Sequence, residues 1–302
     1  MAAARAILVT GATGKQGGSL VDALLKRNTS FEILALTRDA QSTSSQKLLK
    51  KSPSKIKLVT GNLDAVDDVF RKAKEATKAP IWGVFSAVGK NEEKQGIALV
   101  DASLKNGVQH FVYSSADRGG TKSDTDPTNV PHFITKFNIE QHLFAKAKGS
   151  NMTWTVLRPV AFFDNLTPGF FGKVFSTSFV MNLRESQKLQ MIATSDIGFF
   201  AAESFWNPQS ERYRNKSMAL GGDELTFGEF KKVFEQTTGE TLPTTYRFLN
   251  GILLWMVKDL GHMFTWFREV GFGADMQGLK KVNPGMKDFK TWLETESAWK
   301  SR

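Results

Sequence analysis

Ala6-Ile-Leu-Val-Thr10-Gly11-Ala-Thr13-Gly14-Lys15-Gln16-Gly17 is an apolar run that breaks into three glycines, each three residues from the next. The run from Ala6 to Thr10 has the length and branching of a buried strand, and Leu20, Leu24 and Leu25 follow the glycines at helical spacing. A strand, a glycine turn and a helix in that order form a phosphate-binding device. The first glycine permits the tight turn, the second lets backbone approach a pyrophosphate, and the third allows close helix packing. Behind them, the free amides and positive dipole end of the helix face the same space.

Working outward, the first half of the chain alternates short apolar runs with amphipathic stretches. Strands are expected at 6–10, 31–37, 56–60, 81–86, 108–114 and 152–157. Between them, Val66, Val69, Phe70 and Ala73 line one helix face, and Ile97, Val100, Ala102 and Leu104 line another, which stops at Asn106-Gly107. A further helix is expected near 131–148. This alternation predicts an α/β fold, a Rossmann-type doubly wound parallel sheet, followed by a smaller, mostly helical C-terminal domain. The first domain is expected over 1–158, with 188–221 returning to it, and the second over 159–187 and 222–302. After Pro159 phenylalanines crowd at Phe162, Phe163, Phe170, Phe171, Phe175 and Phe179, and regular alternation is lost. Ser195-Asp196 is expected to cap a helix, Ser217 to Leu220 to form a strand, and Thr226-Phe-Gly-Glu229 to open a helix with a capping box. Helical patterns continue around 249–260 and 288–294.

Composition narrows the chemistry. The 302 residues contain no cysteine, which excludes disulfides, thiolate metal sites and cysteine nucleophiles. Four histidines show no paired-ligand spacing, so no metal site is expected. The formal charge of +10 suits an anionic partner, but lysines are spread along the whole chain. The one local cluster, Lys47, Lys50, Lys51, Lys55 and Lys57, lies among serines around Pro53 with no aromatic partner, and reads as a solvated loop rim. Direct nucleic-acid binding is therefore not expected. No apolar stretch approaches the roughly 20 residues that a bilayer span needs. A soluble protein of the cytoplasm, with the nucleus as a further location, is the expectation.

If the glycine turn holds a dinucleotide, the end of the second strand chooses between its forms. That strand ends Thr37-Arg38-Asp39. Arg38 stands where a guanidinium can clasp a 2′-phosphate, which favours NADP(H); in the rival reading Asp39 binds the ribose hydroxyls and Arg38 points to water. Gly61-Asn62-Leu63 after the third strand reads either as an adenine pocket or as an ordinary strand-ending turn. Ala87, just past the fourth strand, is counted with the candidate cofactor residues.

Several further segments, taken in order, resemble the NmrA-like family of atypical short-chain dehydrogenase relatives. They are Gly11 to Gly17, Thr37-Arg38, Lys94-Gln95-Gly96, Val112-Tyr113-Ser114-Ser115, His132-Phe-x-x-Lys136, Leu157-Arg158-Pro159, Phe163-Asp164-Asn165-Leu166 and Thr194-Ser-Asp196-Ile-Gly198. Asn283-Pro284 and Trp292-Leu293-Glu294 extend the resemblance nearly to the end. The resemblance implies an NADP(H)-binding fold with Thr13, Arg38, Lys94, Lys136, Phe162 and Asn165 lining the cofactor cleft. It also implies one of two functions: a nucleotide-responsive regulator acting through a protein partner such as a transcription regulator, or an NADPH-dependent reductase of an apolar or aromatic small molecule.

The ordinary short-chain enzymes place a tyrosine four residues before a lysine. Here the lysine is Lys136 and the tyrosine position is His132. His132 itself, Lys136 acting directly, or Ser114 and Ser115 orienting a substrate could restore acid–base chemistry. Against that stand a purely cofactor-holding Lys136 and a surface charge ladder of His132, Lys136 and Glu140 on one helix face. The missing tyrosine favours the regulator. Leu249 to Met263, rich in Trp255, Met256, Met263 and Phe264, offers a protein interface.

Overall fold

The computed structural model describes residues 4–27, 30–89 and 91–299. They divide into two compact units, one of Met1–Ser115, Thr135–Leu157 and Ile197–Met218, the other of Ala116–Ile134, Arg158–Asp196 and Ala219–Arg302.

In the first unit, strands and helices alternate as expected: β1 (Arg5–Val9), α1 (Lys15–Lys26), β2 (Phe31–Thr37), α2 (Thr43–Lys51), β3 (Ile56–Thr60), α3 (Val66–Ala76), β4 (Ile81–Ser86), α4 (Glu92–Lys105), β5 (His110–Ser114), α5 (Pro131–Ala147) and β6 (Thr153–Pro159). Among the described residues seven strands form one sheet, in the order β3-β2-β1-β4-β5-β6-β9, with β9 at Lys216–Leu220. The β1–β2, β2–β3, β1–β4, β4–β5 and β5–β6 pairings are all parallel. Strand order reverses beside β1, since the chain builds outward to β3 and then returns to lay β4 on the other side. A doubly wound sheet binds its ligand at such a switch point, outside the carboxyl ends of the strands.

The central strands are largely apolar because helices cover both faces. Ile7, Leu8, Val9, Leu34, Val84, Phe85, Phe111 and Val112 are all essentially inaccessible. The loop rim expected around the lysine cluster is instead helix α2 together with β3. Ser42 caps α2 by accepting from the Ser45 amide, Lys51 pairs with Asp22 and Lys57 with Glu32. The threonine and serines of its first turn are weak helix formers, which the Ser42 cap offsets, while the glutamine, leucines and lysines that follow favour the helix and Leu48 anchors it by burial.

In the second unit β7 (Ala161–Phe162), β8 (Leu189–Ile192) and β10 (Asp223–Leu225) form a small mixed sheet in the order β10-β8-β7. Around it lie α6 (Phe170–Asn182), α8 (Phe227–Thr238), α9 (Arg247–Met256), α10 (Lys258–Glu269), α11 (Met276–Val282) and α12 (Phe289–Thr295), while α7 spans Thr194–Trp206. Residues 116–134 and 188–196, which the sequence pattern puts in or returns to the first domain, group with this unit. Asp117 explains the first stretch, because its carboxylate accepts the Gly273 amide at 2.8 Å. The capping box on α8 forms as expected, with Thr226 and Glu229 satisfying each other's amides. The expected cap at Ser195-Asp196 does not. Helix α7 starts earlier and the Asp164 carboxylate accepts the Thr194 amide, while Asp196 accepts from Asn283 and the Lys287 amide.

The crowded phenylalanines resolve into two sets. Phe163, Phe175 and Phe179 are core, packed with Phe230, Phe289 and Trp292; the Phe230 and Phe289 rings stack at 4.4 Å. Phe170 and Phe171 are exposed. Exposure is also concentrated on α9, where Phe248, Leu249, Ile252, Trp255 and Met256 share one face while Asn250 on the opposite side bonds Ser178. Phe264, grouped with that segment on sequence grounds, is buried.

His110 lies at the heart of the first unit, its ring nitrogens engaged by the Thr153 and Thr155 hydroxyls. Burial pushes its pKa down to about 3. A depressed histidine stabilises the fold above its unfolded pKa of about 6.5 and loses that contribution as pH falls. Between pH 6.5 and 3 the wild type should lose on the order of 1.4 kcal/mol of unfolding free energy per pH unit relative to His110→Gln. Denaturant titrations of both proteins at several pH values check this, and parallel pH profiles would contradict it.

Candidate nucleotide site

The turn between β1 and α1 is shaped by what it cannot hold. Gly11 has a φ of +60°, and a Cβ on Gly17 would lie 2.3 Å from the Gly11 carbonyl oxygen. A side chain at Gly17 would push strand and helix apart, and one at Gly11 would strain the backbone and crowd the Ala87 carbonyl at 3.1 Å. The Gly14 N–H donates to the Gly11 carbonyl at 2.8 Å, closing the loop. Helix α1 then begins with no side chain capping Gly14 and no acidic residue in its first turn, so its positive end is kept for a ligand. Thr10 staples the neighbouring strand end, its hydroxyl bonded to both the amide and the carbonyl of Ala87.

A cleft of about 620 Å³ opens over this turn. Of the candidate cofactor residues, Gly11, Thr13, Gly14, Arg38, Asn62, Leu63 and Ala87 line it. Leu36, Thr37, Gly61, Asp64, Val88, Gly89, Asn91 and Gln95 complete the wall. Lys15 is exposed on α1, and Gln16 accepts a hydrogen bond from the Ser114 hydroxyl. Lys94 is exposed on α4 and does not reach the wall; its neighbour Gln95 does. One helical residue is a 100° rotation, and that turns Gln95 inward, where its amide donates to Asp64 at 2.8 Å. Asn62 shapes the same corner by accepting the Asp64 amide.

At the β2 end the two rivals behave differently. The Asp39 carboxylate accepts the Gln41 amide at 2.8 Å, and its carbonyl accepts the Ser42 and Ser45 hydroxyls, so Asp39 builds the turn into α2. Arg38 is exposed at the cleft and makes no hydrogen bond or ion pair among the described residues. The donor set here, helix amides at one end and an uncommitted guanidinium at the other, fits a ligand with phosphates at both places.

A second polar group of this unit lies at the end of β5. Lys136 donates to Glu92 at 2.7 Å and to the Ser114 carbonyl at 3.5 Å. Ser115 donates to the buried Glu140 carboxylate. Both serine hydroxyls are thus engaged by the protein, and the surface ladder of His132, Lys136 and Glu140 does not exist, because Glu140 is inaccessible and Lys136 turns to Glu92. Tyr113 is fully buried. No spacing in the sequence marks Glu92, Asp64 or Gln95 as functional, and of the three only Gln95 lies in a segment that resembles the family.

In the other unit His132, at the start of α5, holds its Nδ1 2.8 Å from Asp259 on α10. Phe162 is half-buried on β7, and Asn165 is exposed on the short helix after it. Among the described residues no cluster of histidines and carboxylates could hold a metal, and no helix is long and apolar enough to cross a membrane.

The NmrA-like family model matches residues 3–293. An NmrA-like family domain-containing oxidoreductase of Aspergillus hancockii is 33% identical over 264 residues, 79% of this chain and 74% of that one. Among solved structures, triphenylmethane reductase of Citrobacter sp. complexed with NADP(H) superposes with a TM-score of 0.68 at 17% identity, covering 95% of this chain and 98% of that one. NmrA, a negative transcriptional regulator in complex with NAD, gives 0.69 at 15% identity, over 98% and 96%. A structure of NmrA with NADP superposes equally well, at 0.68.

Gly17→Ala should cost about 1–3 kcal/mol of stability, the range for forcing a methyl into a packed site. A thermal melt with wild-type stability would show that the turn has slack which the 2.3 Å approach denies.

Proposed function

Because the chain belongs to the NmrA-like family, we propose that it binds NADP(H) and passes the occupancy or redox state of that nucleotide to a protein partner. The uncommitted Arg38 guanidinium at the edge of the cleft carries the choice of NADP(H) over NAD(H), since Asp39 is spent on its own turn. In this reading the amides of Thr13 to Gly17 hold the diphosphate, Arg38 clasps the 2′-phosphate, and Asn62, Leu63 and Asp64 border the adenine. Ala87, Val88, Gly89 and Asn91 form the floor between the two nucleotide halves, and Lys136 meets the nicotinamide-side ribose. Phe162 and Asn165 are proposed as further cofactor contacts, and Lys94 as a cation near the phosphates.

Two observations favour a messenger over a catalyst. The tyrosine of the ordinary dyad is His132, and the exposed apolar face of α9 offers about two turns of Phe248, Ile252, Trp255 and Met256 to a partner. A transcription regulator is the partner class suggested by the likeness to NmrA. Cytoplasmic residence, with access to the nucleus, goes with that role.

A second reading has its own support. The relative from Aspergillus hancockii is named an oxidoreductase, the Citrobacter neighbour is a reductase, and the His132–Asp259 pair orients an imidazole as acid–base sites do. Bound nicotinamide would supply the hydride. Lys136 or His132 would then manage the proton, with an apolar or aromatic small molecule as acceptor.

Fluorescence titration separates the nucleotides. Arg38→Ala should weaken NADPH at least about tenfold, the loss of a charge-assisted hydrogen bond, and leave NADH nearly unchanged. Equal losses for the two would transfer the assignment to Asp39. A screen of NADPH oxidation against apolar ketones, enones and imines then tests the role. Turnover that disappears in Lys136→Ala while NADPH binding persists would replace the messenger by the reductase.

A further inference from the structure

Helix α4 opens directly under the cleft. Asn91, which lines the wall, sits in the left-handed region at a φ of 57°, and the next residue, Glu92, is the first of the helix. That backbone turn sends the Glu92 side chain inward, so that only 12% of it is exposed. Its carboxylate accepts from Lys136 Nζ at 2.7 Å and, more loosely, from the Tyr113 hydroxyl at 3.4 Å. The Lys136 side chain is 17% exposed and its ammonium lies 5.8 Å from the centre of the Tyr113 ring. The Ser114 carbonyl at 3.5 Å is its remaining hydrogen-bond partner among the described residues.

An ammonium has three protons on a flexible stem, and a site that uses one of them must fix the other two. Here Glu92 and the Ser114 carbonyl do that from two directions, and the Tyr113 ring closes a third side. Of these, Glu92 alone carries a full opposite charge. It is also held in place itself, as a carboxylate in the first turn of a helix, where the backbone dipole favours it. Three residues on, Gln95 of the same helix holds Asp64 on the opposite wall of the cleft. One helical turn thus governs a polar group at each end of the nucleotide site.

We propose that Glu92 is a positioning residue for nicotinamide nucleotide binding: it pins the Lys136 ammonium at the carboxyl end of β5, so that the proton left over is presented to a sugar hydroxyl of the ligand. This rests on the reading of the cleft given above, in which Lys136 meets the nicotinamide-side ribose. Removing Glu92 leaves a poorly exposed ammonium with weak neutral partners, free to swing away from that position.

The full chain is titrated with NADPH and with adenosine 2′,5′-bisphosphate, which keeps the adenine and the 2′-phosphate but has no second ribose. Glu92→Ala should weaken NADPH about tenfold, as expected when a charged hydrogen-bond partner is lost, and leave the bisphosphate unchanged. In the Lys136→Ala background, Glu92→Ala should add nothing, since a residue that acts only through another is silent once that other is gone. Glu92→Gln keeps the length and one acceptor without the charge and should fall in between. It serves the same cycle if the alanine variant melts well below the wild type. Losses that add up in the double variant, or that affect NADPH and the bisphosphate alike, would reduce Glu92 to a structural strut and overturn the assignment. Bisphosphate and NADPH binding intact in Lys136→Ala would remove the role of Lys136 and that of Glu92 with it, whereas a wild type that binds neither ligand would remove the nucleotide reading as a whole.

Discussion

Everything at the cleft depends on how closely α1 approaches the strand that feeds it. Backbone meets backbone between Gly11 and Gly17, with no room for a single methyl group, and this contact sets where the first helical amides point. The other walls are then referred to that turn. Thr10 clamps the β4 end to the β1 end through Ala87, and Gln16, one residue from the contact, reaches across to Ser114 on β5. A displacement of the helix would therefore be felt at three strand ends at once. Glycine is costly in a helix, by roughly 1 kcal/mol relative to alanine, and the chain tolerates the cost because it occurs where the ligand must come close.

Charge is placed with similar economy. The protein is strongly basic, yet many of its cations near the first sheet are neutralised locally, Lys51 by Asp22, Lys57 by Glu32 and Lys136 by Glu92. An exposed pair such as Lys51–Asp22 contributes little to stability. What they do achieve is selectivity of field: around the cleft, Arg38 stands out because its neighbours are already answered. The second unit uses a different vocabulary, a stacked aromatic core of Phe163, Phe230, Phe289 and Trp292 whose burial stabilises by roughly 1.5–3 kcal/mol per side chain.

The sheet was legible because its strands are buried on both faces, and a short apolar run bounded by turn residues suits little else than a covered strand. β2, β3 and β4 occupy the residues that their patterns assign, Phe31–Thr37, Ile56–Thr60 and Ile81–Ser86. Helix α2 was hidden by serines that act as caps rather than as loop formers, and α6 by its inverted pattern, since Phe170 and Phe171 are exposed while Ser176 and Ser178 are buried. The small mixed sheet has strands of two to four residues, too short to show a period. At the cleft, the glycine turn and Arg38 could be read from chain order alone. Glu92 and Asp64 could not, because their significance comes from what lies opposite them in space, and Lys94 drew notice where the helix phase selects its neighbour.

The way the chain threads between its units bears on its synthesis. The unit that carries most of the seven-stranded sheet is drawn from three separate stretches, the last of them Ile197–Met218, which supplies most of α7 and of the edge strand β9. On a ribosome that delivers the polypeptide from its amino end, this half stays unfinished until residues 197–218 have emerged, by which time part of the other half has already been made. A fragment ending near residue 158 would lack that final stretch, leaving β6 as an unpaired border and the apolar side chains of Ile197, Phe200 and Phe205 without their source. Nascent chains of this protein should accordingly lean on chaperones through most of their translation.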